Sequence, residues 1–251
     1  MRQIQFGMRV NCFGRSVLNC ASSLKSLKNS NCCWSFPAGR IDGLVSWLNN
    51  YKSMPSNISE LVSRDFESHH IVHEQRKLEI PNIIICDTWS DLVHQKFLIN
   101  GETIYCNHVE LSELGKSKQS SLGRLDLRNK KILFDYFWSL INLGVEAIIM
   151  IDFPALHDIR PEMRKRSKQI TKYYLELSQI NKNFKFVQIP YSDIALKNSL
   201  QRHSIKRLND ENPVGDVYHF SDQTVLKMSR KFDNILAETM LELSQNRLKI
   251  I

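Results

Sequence analysis

The sequence predicts an α/β protein, with a doubly wound, mostly parallel sheet flanked by helices and carried by a single domain over residues 1–251. Three observations lead there. Short apolar runs recur along the chain without polar alternation, the pattern of strands buried on both faces. Stretches of helical period lie between them. Finally, 42% of the 251 residues are hydrophobic and only 9 are Gly and 7 Pro, which suits one sizeable core and argues against a disordered chain.

In chain order, MRVNCF (8–13) reads as the first strand and SVLNCASSLKSL (16–27) as the helix after it. NCCWSF (31–36) is a shorter strand, followed by the helical DGLVSWLNNY (42–51). NIIICDTW (82–89), VEAIIMIDF (145–153) and FKFVQIP (184–190) complete the sheet. NKKILFDYFWSLINLG (129–144) predicts a helix with Ile132, Tyr136, Leu140 and Leu143 on its buried stripe and Gly144 as its C-terminal cap. Residues 161–180 predict a helix opened by Pro161, whose fixed φ suits a first turn. Residues 221–245 predict a last helix capped by Ser221. Residues 52–81 and 100–128 are polar and are expected as irregular insertions at the sheet edge.

The formal net charge is +8, and its source is local. Residues 160–207 carry 12 Lys/Arg against three acids, Glu162, Glu176 and Asp193, an excess of nine. Such a surface attracts anionic glycans or phosphorylated carriers. Nucleic acid is not the expected partner, because no aromatic RNA-binding signature, zinc finger or basic zipper accompanies the charge. The six cysteines (12, 20, 32, 33, 86 and 106) form no C-x-x-C and read as reduced thiols. Neither a signal-peptide apolar stretch nor a membrane span is evident, so a cytoplasmic protein is expected. His69 and His73 share a helical face in HHIVHE, but no third ligand and no H-E-x-x-H pattern accompany them. They read as a polar surface segment, and neither a metal nor a cofactor is expected.

Ligands of open α/β sheets bind beyond the carboxyl ends of the strands. That rule selects Asn11, Arg15 and Ser16 after the first strand, Gly39 and Arg40 after the second, and Asp87, Thr88 and Asp91 after the third. Asp152 and His157 follow the fourth strand, and Tyr191, Ser192 and Asp193 the fifth. Close to the C-terminus, VGDVYHFSDQ (214–223) sets Asp216 three residues before His219. An acid at that spacing can orient an imidazole as a general base, which then requires a nucleophile such as Ser16.

CFGRS near the start and DVYH before the final helix resemble the F-G-D-S and Asp-x-x-His motifs of the SGNH/GDSL superfamily of esterases and acyltransferases, a flavodoxin-like fold. The resemblance implies Ser16 as nucleophile, His219 as base, Asp216 as its orienter, and the Ser16 and Gly39 N–H groups as oxyanion donors. It implies an esterase or O-acyltransferase acting on a carbohydrate or glycan-linked ester, in bacterial surface-polysaccharide biosynthesis. The chain departs from the family in three places. Arg15 replaces the Asp before the serine, Gly39 stands without the usual Asn, and CDTWSD lacks the Asn of Gly-x-Asn-Asp.

A second register also fits. Some SGNH-like bacterial proteins linked with polysaccharide clusters begin with a strand, then Gly-Ser-Cys and x-x-Arg. On VNCFGR this puts Asn11 on their serine, Cys12 on their cysteine and Arg15 on their arginine. The serine nucleophile is then absent, and the implied function is binding of an anionic glycan or phosphorylated carrier through Arg15, Arg40 and the basic surface. A nucleotide-sugar transferase has no Gly-rich phosphate loop to support it.

Overall fold

The computed structural model describes residues 4–23, 32–36, 40–49, 80–99, 102–106, 121–156, 158, 160–194 and 220–248. The chain is α/β and groups into two compact units, one of residues 1–11 and 31–148, the other of residues 12–30 and 149–251.

In the first unit, β1 (Phe6–Arg9) pairs in parallel with both β2 (Cys32–Phe36) and β3 (Ile83–Asp87). Met8 lies beside Ile85 and Arg9 beside Cys86. All four residues of β1 and all five of β3 are buried, as the non-alternating apolar runs require. The helix α2 (Ile41–Asn49) buries Ile41, Leu44, Val45 and Leu48, an i, i+3, i+4, i+7 stripe. A short helix, α3 (Trp89–Val93), follows β3 directly. Then β4 (Gln95–Ile99), β5 (Glu102–Cys106) and β6 (Ser121–Arg124) form a separate antiparallel sheet in the order β5-β4-β6. The register of β4 on β6 shifts between Lys96 and Phe97, opposite Gly123. Gly123 has φ +93°, a conformation that favours glycine and re-aims the strand at such a bulge.

This small sheet corrects the expectation of an irregular segment over 100–128. Asn100-Gly101 stands between the apolar runs of β4 and β5, the strongest short-range hairpin signal a sequence carries. The helix α4 (Lys130–Asn142) appears where expected but turns a different face inward. Leu133, Phe137 and Leu140 are buried, whereas Ile132 is 40% exposed and Tyr136 half-buried. The two stripes share Leu140, and packing chooses the wholly apolar Phe137 over Tyr136, whose hydroxyl needs a polar neighbour. The end of α4 is as predicted. Gly144, at φ +104°, donates its N–H to Ile141 O at 2.9 Å, and Val145 donates to Leu140 O at 3.2 Å, a Schellman cap.

β7 (Ala147–Ile151), entirely buried, runs from the first unit into the second. The second unit continues with α5 (Pro161–Ile180), β8 (Phe184–Val187), the single turn α6 (Tyr191–Ile194) and the long α7 (Asp222–Leu248). It also holds α1 (Cys12–Cys20). α1 leads to Ser22 and Ser23, whose N–H and hydroxyl groups all bond the Asp233 carboxylate of α7. Phe13, Phe153 and Phe220 form an aromatic triangle with centroids 4.8–5.7 Å apart. Ser221 precedes α7 as expected of its cap, accepting from Thr224 N at 3.4 Å.

The strand order of the larger sheet is β2-β1-β3-β7-β8. Numbered along the chain these five strands read 2-1-3-4-5, the flavodoxin-like doubly wound order, whose direction reverses between the first and third strands. That switch point is β1/β3 and lies within the first unit.

Candidate functional site

At the carboxyl ends of β1 and β3 the chain buries an uncommon amount of charge. Arg9, the last residue of β1, is fully buried. Its guanidinium clasps the Asp91 carboxylate of α3, with Nη1 donating to Oδ1 at 3.2 Å and Nη2 to Oδ2 at 3.0 Å. Nη2 also donates to Asp87 O at 3.3 Å. Asp91 Oδ1 accepts a further bond, from the Ile41 N–H at the start of α2, at 2.7 Å. One ion pair thus fastens β1, β3, α2 and α3 together.

Asp87, buried at the end of β3, takes the Asn11 N–H on Oδ2 at 2.5 Å and the Trp89 N–H on Oδ1 at 3.2 Å. Burial pushes its carboxyl up to about 6, against the opposing pull of the Asn11 N–H and Arg9. Asn11 also donates Nδ2 to the buried Ser90 Oγ at 2.6 Å. Its side chain is half-buried, and Oδ1 accepts no bond among the described residues. Asn11 is therefore the accessible front of a buried charged network, oriented by a carboxylate and a hydroxyl behind it.

A second ion pair stands beside α2. Arg40 donates Nε to Asp42 Oδ1 at 2.9 Å and Nη2 to Oδ2 at 2.5 Å, and its Nη1 reaches Gly123 O at 2.9 Å. Arg40, expected as an anion-holding group, is thus buried with its guanidinium bonded to Asp42 and the β6 carbonyl. His94 is buried too, and burial with the nearby charges of Arg9 and Arg40 lowers its imidazole to about 3. It stays neutral. Burial raises the Cys86 thiol to about 11, which makes it a core residue and not a nucleophile at neutral pH.

The other expected site residues fall elsewhere. α1 begins at Cys12, so Ser16 is an exposed residue inside the helix and not its first-turn cap. The strand ends earlier than the apolar pattern suggests because the Asp87 carboxylate, not a neighbouring strand, captures the Asn11 N–H. Arg15 is half-buried on α1. Gly39, Asp216 and His219, together with His69, His73 and His157, lie outside the described residues. Sequence reasoning named Asn11 and Asp87 but passed over Arg9, Asp42, Ser90 and His94 as site residues. An arginine ending an otherwise apolar strand was the available signal, since a charge at a buried position needs a partner.

No protein-family model, curated protein or solved structure matches this chain.

Proposed function

We propose that this protein is an SGNH-like binding protein for an anionic glycan or a phosphorylated carrier, in which Asn11 stands where the esterases carry their serine. The observation that supports this reading is the turn after β1. The residue that leaves the strand at the switch point is Asn11, whose backbone N–H is held by Asp87 and whose side-chain amide is held by Ser90, while Ser16 lies five positions further along on α1. An amide offers hydrogen bonds to a ligand but no nucleophile. The anionic character of the ligand rests on α5, where Lys165, Lys168 and Lys172 share an exposed face at i, i+3 and i+7 spacing.

The purified protein, treated with a fluorophosphonate serine probe and mapped by peptide mass spectrometry, is expected to carry no adduct on Ser16. Labelled dextran sulfate should bind with an affinity that falls as salt rises, survives Ser16→Ala and weakens when Lys165, Lys168 and Lys172 are replaced together by Ala. An adduct on Ser16 that disappears in His219→Ala would overturn this reading in favour of a Ser-His-Asp esterase or acyltransferase.

A further inference from the structure

The small antiparallel sheet of the first unit carries a guanidinium that no carboxylate neutralises. Arg124 ends β6 directly opposite Gln95 of β4, so the two side chains share one face of the sheet. Both are half-buried. Arg124 Nε is shut off from water and finds no hydrogen-bond partner among the described residues, whereas the two Nη groups are not enclosed in this way and reach solvent. The acids of the same region are committed to other arginines. Asp91 is clasped by Arg9 and Asp42 by Arg40, and Asp126, two positions along the chain, is held by Arg128 Nε at 3.0 Å and Nη2 at 2.8 Å. Of the described arginines in this unit, Arg124 alone lacks such a partner.

Gln95 brings further donors to the same place. Ser121 Oγ accepts the Gly123 N–H at 3.0 Å and passes its own proton to Gln95 Oε1. That bond engages the carbonyl end of the amide and leaves Nε2, which can only donate, facing away from it. The cross-strand pair thus presents donors, from a planar fork and from an amide whose carbonyl is already engaged. A cation is repelled by the guanidinium. A neutral hydroxyl leaves its charge without a counterpart. A carboxylate or a phosphate supplies both the charge and the paired oxygens that the fork geometry fits.

We propose that Arg124 and Gln95 hold an oxyanion of the ligand, a carboxylate or a phosphate, with the Arg124 fork as its anchor. β6 packs against α3, whose Ser90 orients Asn11, and the Gly123 carbonyl beside Arg124 is fixed by Arg40. The inference rests on the reading of an anionic ligand and deepens it, because the lysines of α5 supply a diffuse field while this pair reads one anionic group.

Isothermal titration calorimetry of the full-length protein with glucuronate, inorganic phosphate and glucose tests it. At least one of the two anions is expected to bind and glucose is not; glucuronate points to a uronic acid, phosphate to a phosphorylated ligand. Arg124→Gln should weaken that binding about tenfold to a hundredfold, the worth of a hydrogen bond to a charged group, without lowering the thermal midpoint. Gln95→Glu sets a carboxylate opposite the guanidinium and should abolish binding while the midpoint holds or rises. Replacing Lys165, Lys168 and Lys172 together by Ala should leave the small anion's affinity largely unchanged. Failure of both anions to bind the wild type, glucose binding as tightly as either, or an affinity unchanged in Arg124→Gln overturns the proposal. So does a midpoint that falls in both variants, which would mean that the guanidinium is already paired. Dextran sulfate binding that still depends on the three lysines would then separate the failure of this site from the failure of the anionic reading.

Discussion

Replacing Asp91 by Ala removes the keystone of the β1–β3 network. Arg9 and Asp91 are both fully shielded from water, so the substitution leaves a buried guanidinium without the carboxylate that neutralises it. Breaking a buried pair from one side costs about 3–5 kcal/mol. The same change strips the Ile41 N–H of its acceptor, a loss of about 1–3 kcal/mol that overlaps with the first because one carboxylate serves both. A destabilisation of about 4 kcal/mol follows, a large share of the roughly 5–15 kcal/mol that holds a domain together. Equilibrium urea unfolding followed by tryptophan fluorescence should show the midpoint falling by about 1.5 M, for a denaturant slope near 2–3 kcal/mol/M. The double variant Arg9→Met/Asp91→Leu separates charge from packing, because apolar replacement of both partners removes the stranded cation and should recover at least half of the loss. An Asp91→Ala protein within about 1 kcal/mol of the wild type would refute the role assigned to the pair, as would a double variant no more stable than the single.

Three further outcomes follow from the geometry. Burial raises the Asp152 carboxyl to about 7 from its usual 3.8, so the native state holds more protons than the unfolded chain between those values and stability falls as pH rises through that window. Asp152→Asn removes this dependence, and its melting temperature relative to wild type should be higher at about pH 8 than at about pH 4; an equal difference at both would contradict the assignment. Gly144→Ala should cost about 1–2 kcal/mol in thermal unfolding, because at φ +104° the new Cβ meets no neighbour and the penalty is that of the backbone alone. In Asp233→Ala the N–H and hydroxyl groups of Ser22 and Ser23 lose their acceptor, and hydrogen exchange at both amides should accelerate while the centre of α7 stays protected.

β3 and β7 were legible because they are buried along their whole length. Residues 83–86 and Ala147–Ile151 are unbroken apolar runs in the sequence and wholly buried in the fold. The span of α5 was legible at both ends, since Pro161 pre-sets the first turn. The inward face of α4 was not, because two overlapping stripes satisfy the same periodicity and only tertiary packing separates them. Asn11, Asp87 and Asp91 of the candidate site were readable from the strand-end rule. Arg9 was not selected by it, although a charge ending an apolar strand calls for a partner. Its pairing with Asp91, 82 positions away in sequence, exists only once β1 lies beside β3.

Burying so many charges at one end of two strands adds little net stability, since desolvation offsets most of the Coulombic gain. What the arrangement secures is position. Asp91 holds the first N–H of α2 and the side chain of Arg9 together, Arg40 holds Asp42 and the β6 carbonyl, and Asp87 with Ser90 fixes the backbone and amide of Asn11. Each of these bonds ends on a group whose alternative is a buried, unpaired charge or amide, so alternative rotamers carry a penalty of several kcal/mol. Among the described residues of this network, Asn11 keeps an open acceptor and a partly exposed side chain. Rigid support behind a single outward polar group is what a binding site at a topological switch point needs, because a ligand then meets a group already in place and loses little free energy in ordering it.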